Sequence, residues 1–102
     1  MPMLHTINKS PFQTRTFESC LAHCCEGSSI LLIEDGIYGA VGGTPIQKKM
    51  NDAMKKVAIY VLGPDLEARG MSADKVMSGI KVVDYAGFVD LAVKHNSVQS
   101  WL

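Results

Sequence analysis

The sequence has no surplus of charge. Ten lysines and arginines balance ten aspartates and glutamates, and the formal net charge is zero. That balance removes the electrostatic pull toward nucleic acid or an anionic membrane. No direct nucleic-acid binding and no membrane association are expected. Little self-repulsion remains either, which suits a protein that associates. Long apolar runs are also missing. The longest, Ile30 to Ile33 and Val57 to Leu62, are strand-sized and far short of the roughly 20 residues that span a bilayer. The opening residues lack the basic and apolar regions of a secretory leader, so the expected address is the cytoplasm.

Other absences narrow the chemistry. Gly36, Gly39, Gly42 and Gly43 follow a strand-like run, yet they fit neither the dinucleotide fingerprint nor the P-loop. They are read instead as tight turns or points of close packing. Three cysteines, Cys20, Cys24 and Cys25, crowd one short stretch. An odd, clustered count argues against a disulfide framework. A structural zinc site wants four ligands, and a second metal-binding arm is missing. There is no Cys-x-x-Cys pair, no internal repeat and no low-complexity tract. No cofactor and no metal are expected.

What is present reads as one α/β domain over residues 1–102. Apolar residues make up 47% and charged residues 20% of the chain, as in ordinary globular proteins. A chain this small gains noticeably from burying more surface in a complex. Strands are predicted at Met3 to Ile7, Ile30 to Ile33, Val57 to Leu62, Ile80 to Val83 and Val98 to Leu102. The second and fourth read as strands buried on both faces. Ser10-Pro11 and Thr44-Pro45 each pair a cap with a proline. They open predicted helices that reach Cys25 and about Lys55. A flexible turn is expected around Gly39 to Gly43. A short helical turn is predicted at Asp65 to Arg69, and a helix at Tyr85 to His95. The order β-α-β-α-β-α-β-α-β implies a mostly parallel sheet of about five strands with helices on both faces.

The cysteines are the one unusual reactive feature. At about 100° per residue with Phe17 at zero, Leu21 falls near ~40° and Cys24 near ~340°. Those three mark the core-facing stripe. Cys20, near ~300°, and Cys25, near ~80°, fall at its two edges, with His23 near ~240° beside Cys20. Cys24 is then a small buried hydrophobe and Cys25 is ambiguous. Cys20 is either packing or a reactive thiol helped by a protonated His23. Asp35, Asp65 and Asp84 follow strands, where open α/β sheets place their sites, but helix capping is the expected role of each. His5 and His95 read as satisfied structural histidines. Trp101 and the six methionines suit either an interface or the core.

The chain also resembles a known family. The stretches Met3-Leu-His-Thr-Ile-Asn-Lys-Ser-Pro11, Ile30-Leu-Leu-Ile-Glu-Asp-Gly36 and Leu66-Glu-Ala-Arg-Gly70 look like the DsrH/TusB family. So do Val83-Asp-Tyr85, Phe88-Val89, Val93-Lys-His95 and the late Trp101. The resemblance implies a subunit of a DsrEFH or TusBCD heterohexamer, two copies each of three related small subunits. It implies DsrE/TusD-like and DsrF/TusC-like partners, persulfide transfer between cysteines, and a DsrC/TusE-like carrier downstream. In the TusBCD branch the sulfur ends in tRNA wobble-uridine thiolation, and in the DsrEFH branch it feeds dissimilatory sulfur oxidation. The principal thiol belongs to the DsrE/TusD-like partner. Cys20 matches a cysteine of DsrH-type members, so the resemblance implies an accessory persulfide carrier there and favours the oxidation branch. The alternative is a purely structural subunit with an inert Cys20. Cys24 and Cys25 are not part of the family pattern.

Overall fold

Short runs rich in β-branched residues between polar breaks become strands, and five form: β1 (Met3–Ile7), β2 (Ser29–Leu32), β3 (Ala58–Leu62), β4 (Lys81–Val83) and β5 (Ser97–Trp101). The computed structural model describes residues 3–24, 26–95 and 97–101. The strands join in one sheet of order β4-β3-β2-β1-β5, and every pairing is parallel. The expected α/β architecture is therefore present. No helix among the described residues is long and apolar enough to cross a membrane.

Alternation along the strands sends side chains to opposite faces. Ile7, Ile30, Leu32, Ile59 and Val61 join the larger core. That face is covered by α1 (Thr16–His23), a 3-10 helix (Glu34–Ala40), α2 (Gln47–Met54) and α3 (Gly63–Ala68). Leu4 and Leu31 point the other way, where Leu91, Phe88 and Ala92 of α4 (Tyr85–Lys94) meet them. Helices thus lie on both faces, with α4 alone on the second. Its opposite side presents Tyr85, Val89 and Val93 at 60%, 61% and 78% exposure, spaced four apart on one stripe.

Five local expectations change. The first helix starts at Thr16 rather than Pro11. Ser10 does cap a turn, since its Oγ accepts from Phe12 N–H at 3.2 Å and its carbonyl from Gln13 at 3.2 Å. No apolar residue between Ser10 and Phe17 is buried to continue that turn into a helix, because Phe12 faces solvent. The second helix starts at Gln47 with Ile46 as its cap, so Thr44 and Pro45 lie ahead of it and Thr44 makes no side-chain cap. Of the turn expected around Gly39 to Gly43, Gly42 and Gly43 do turn, but Gly39 and Ala40 end a largely buried 3-10 helix that begins at Glu34. Gly36 makes that possible: a Cβ there would sit 2.2 Å from the Ile7 carbonyl oxygen. Gly63 and Pro64 end β3 by opening α3, where proline is accepted in the first turn. Finally, β4 is not a strand buried on both faces. It lies at the sheet edge with Lys81 and Val82 exposed, because among the described residues β3 is its only sheet neighbour.

Candidate functional site

The buried stripe of α1 is Phe17, Cys20 and Cys24, at i, i+3 and i+7. This is a helix face of ordinary spacing, but two of its three members are thiols. Cys20 is fully buried and Cys24 is 5% exposed. The wheel set on Phe17 and Leu21 was offset: Leu21 is only partly buried, so the true core direction passes between Cys20 and Cys24. Cys20 is therefore not at the boundary of the stripe but inside it. Cys25 lies outside the described residues.

The two sulfurs stand 3.7 Å apart, a thiol hydrogen bond along one helical turn. That bond first, and burial second, push the Cys20 thiol far above its ordinary range. The same bond lowers Cys24, with help from the Lys56 ammonium and against the pull of burial. The two thiols share the proton of this hydrogen bond, which can run either way, and Lys56 stands on the Cys24 side and favours ionisation there. The position of Cys24 at the C-terminal end of α1 works against a thiolate, so the Cys20 S–H and Lys56 together offset that charge.

Cys24 reaches a cleft of about 270 Å³ lined by Leu21, Cys24, Lys49, Asp52, Ala53, Lys56 and Val57. Lys49 is held by Glu18 at 2.6 Å. Cys20 does not line this cleft.

Behind the thiols stands His5 of β1. Its nearer ring nitrogen lies within 4.8 Å of both sulfurs. Trp101 of β5 donates its indole N–H to His5 Nδ1 at 3.0 Å, which places the proton of the neutral ring on Nε2. Burial lowers the His5 pKa below 6.5. Two thiols and an imidazole are donors that a soft cation such as Cu(I) or Zn(II) would take. Here Trp101 holds one imidazole nitrogen and a proton holds the other, so His5 would have to exchange one of them first.

The remaining sequence candidates separate cleanly. His23 does not act on Cys20. Its Nδ1–H donates to the Ser19 carbonyl at 2.8 Å, and its ring centroid lies 5.8 Å from that of Trp101. Trp101 itself packs against the larger core. His95 is satisfied, with Nδ1 on the Leu91 carbonyl at 2.6 Å and Nε2 on Ser29 Oγ at 3.0 Å. Asp84 caps α4 through Gly87 N–H at 2.8 Å. Asp35 instead pairs with Arg69 at 2.9 Å, and Asp65 accepts from the Glu34 N–H at 2.6 Å. Sequence reasoning missed the meeting of His5 with the cysteines and the place of Lys56. Strand alternation offered part of the signal, since His5 shares its face with Ile7.

Fold and site together define a small, single-sheet, all-parallel α/β protein with a buried thiol pair on its first helix. Residues 9–98 match the family model described as DsrH like protein. Protein TusB of Shigella flexneri is 39% identical over 99 residues, covering 97% of this chain and all of that protein. Protein TusB of Escherichia coli O1:K1 / APEC matches to the same extent. The chain belongs to the DsrH/TusB family. Among solved structures, the ychN protein from E. coli superposes with a TM-score of 0.81 at 11% identity, covering 98% of each chain. A protein of unknown function from Methanobacterium thermoautotrophicum, MTH1491, gives 0.72 at 12% identity, covering 95% of this chain and 96% of that one. At such identities these two speak for the fold alone.

Proposed function

We propose that the chain is a single-domain subunit of a cytoplasmic sulfur-relay complex, with Cys20 as an accessory sulfur-carrying thiol. In this reading it assembles with DsrE/TusD-like and DsrF/TusC-like subunits into a heterohexamer that passes persulfide sulfur to a DsrC/TusE-like carrier. The observation that carries the reading is the family match along nearly the whole chain. The apolar stripe Tyr85, Val89 and Val93 supports assembly, because an exposed apolar helix face is a common docking surface. The TusB relatives favour tRNA wobble-uridine thiolation as the destination of the sulfur. Sulfur oxidation is the second reading, favoured by the presence of Cys20.

Two measurements test this. Deleting the gene and quantifying thiolated wobble uridine in tRNA is expected to abolish the modification, and the intact gene to restore it. Unchanged thiolation removes the tRNA branch. In the reconstituted complex, Cys20→Ser is expected to slow sulfur delivery to the carrier. Unchanged delivery would leave the chain a structural subunit with an inert thiol.

A further inference from the structure

Cys20, the proposed carrier, is closed off. No part of it meets solvent, so a sulfur donor outside the folded domain cannot touch its Sγ. Cys24 is placed differently. It lines the cleft between α1 and α2 beside Lys56 and Lys49, and its Sγ lies 3.7 Å from that of Cys20. Lys56 stands on its side of the pair and favours ionisation there, and the thiolate is the attacking form of a cysteine. Lys56 forms no ion pair among the described residues, so its charge is available to an anionic donor.

We infer that Cys24 receives sulfur from a thiol persulfide in the cleft and passes it inward to Cys20. This rests on the sulfur-carrier reading of Cys20 and adds the route by which that thiol is loaded. In the first step the Cys24 thiolate attacks the outer sulfur of R–S–SH. A bond forms between Cys24 Sγ and that sulfur, the donor S–S bond breaks, and R–S⁻ leaves with the electron pair. In the second step Cys20 Sγ attacks the same sulfur atom. The new bond is to Cys20 Sγ, the bond to Cys24 Sγ breaks, and the electron pair returns to Cys24. Cys20 gives up its proton as it attacks and the departing Cys24 thiolate takes one up, so the proton count is unchanged. The transferred sulfur keeps its oxidation state and its own proton, so no oxidant or reductant is consumed.

The spacing favours transfer over a Cys20–Cys24 disulfide. Displacement at sulfur runs in line, so the attacking and leaving sulfurs stand about 4 Å apart across the atom transferred, from two bonds of about 2.05 Å. The observed gap is close to that. A disulfide needs Cβ atoms about 3.5–4.5 Å apart, whereas positions four apart on a helix hold them at about 5–6 Å. Closing the pair directly would unwind the end of α1. Handing a sulfur across it requires little movement.

The test uses the full chain with Cys25→Ser, so that added sulfur rests on one of two thiols. The chain is exposed to glutathione persulfide in one arm and to inorganic polysulfide in the other, which separates an organic from a bare sulfane donor. Fragmentation mass spectrometry then locates the sulfur over time. With both thiols present, one sulfur is expected on Cys20. In Cys24→Ser the loading rate of Cys20 falls by about a hundredfold, because it then waits for a local opening of the core. In Cys20→Ser the sulfur stays on Cys24. Undiminished loading of Cys20 in Cys24→Ser overturns the route while leaving the carrier role intact. Loss of two hydrogens without added sulfur overturns it in favour of a disulfide. An unmodified Cys24 in Cys20→Ser overturns it without relying on any change at Cys24. No loading in any form overturns both the route and the carrier reading.

Discussion

Trp101→Phe probes the support of the thiol pair from the side of the sheet. The substitution keeps an aromatic ring at the end of β5 and removes the indole N–H that His5 Nδ1 accepts at 3.0 Å. His5 is only 4% exposed, so water does not take the vacated place. A buried acceptor left without its donor costs about 1–3 kcal/mol. The smaller ring also gives up packing against the larger core and His23, about 0.5 kcal/mol more at the usual value per unit of apolar area. The sum is about 2.5 kcal/mol. In a domain of this size each kcal/mol moves the midpoint by about 4–8 °C, so Tm is expected to fall by about 10–20 °C.

The pH dependence makes this prediction harder to satisfy by accident. Protonated His5 carries hydrogens on both ring nitrogens and can no longer accept from Trp101. The wild-type chain therefore loses the same bond on acidification, and the gap between wild type and Trp101→Phe is expected to narrow. Thermal unfolding followed by circular dichroism at about pH 8 and about pH 5.5 measures both effects. A Tm within about 3 °C of wild type at the higher pH refutes the assigned bond. A gap that widens on acidification refutes the role given to His5.

Other outcomes follow from the same structure. Burial holds the folded-state pKa of His5 below 6.5, so below that pH the unfolded chain binds a proton that the folded chain resists. Stability is therefore full above pH 6.5 and declines as pH falls toward the folded value. Urea midpoints across this range measure the decline, which His5→Gln is expected to reduce. Gly36→Ala drives a Cβ to 2.2 Å from the Ile7 oxygen, a carbonyl already fixed by the Ile33 N–H at 3.0 Å. A loss of about 3 kcal/mol is expected in denaturant unfolding, and a loss under about 1 kcal/mol would contradict the close approach. Cys20→Ala removes the S–H that lowers Cys24, so the pH profile of Cys24 alkylation is expected to move to higher pH. An unmoved profile would remove the shared proton. Val89→Lys on the outer stripe of α4 is expected to change stability of the isolated chain by no more than about 0.5 kcal/mol. The same variant is expected to lose co-purification with the proposed partner subunits.

Much of the architecture was legible because each element announces itself locally. Ile30 to Leu32 and Ile59 to Leu62 have no reading other than strand at their length, and Asp84 caps α4 where a cap was expected. Legibility failed where a neighbour decides. The exposed face of β4 follows from its place at the edge, which strand order sets and local pattern does not. Likewise, Ser10 reads as a helix start in isolation, yet the turn it caps stops because Phe12 has nothing to pack against. The thiols show the same limit. The wheel identified the helix face correctly to within a fraction of a turn, but that fraction separates a boundary cysteine from a buried one. The meeting of His5 with Trp101 needed the β1–β5 register, in which Ile7 lies opposite Trp101. Nothing within either strand encodes that pairing alone.

Open α/β sheets usually hold ligands at the carboxyl ends of their strands, and Asp35, Asp65 and Asp84 drew attention there. In this chain internal bonds fill that end after β1 and β2, while a cleft between Gly63, Val83, Asp84 and Gly87 stays open at the ends of β3 and β4. The 3-10 helix packs Gly36 onto the Ile7 carbonyl, Asp65 ties down Glu34, and Asp35 holds Arg69. Helix α1 follows β1 and returns toward the opposite end of the parallel sheet, so Cys24 emerges beside Lys56 and Val57, where β3 begins. The amino end of the sheet faces helix C-termini, whose partial charge is negative. A free thiolate is poorly placed in that setting, whereas a hydrogen-bonded pair sharing one proton near a lysine is well placed. On the proposed route this location favours two cysteines in place of one: Cys24 at the wall of the cleft to react, and Cys20 fully buried to hold what it is given.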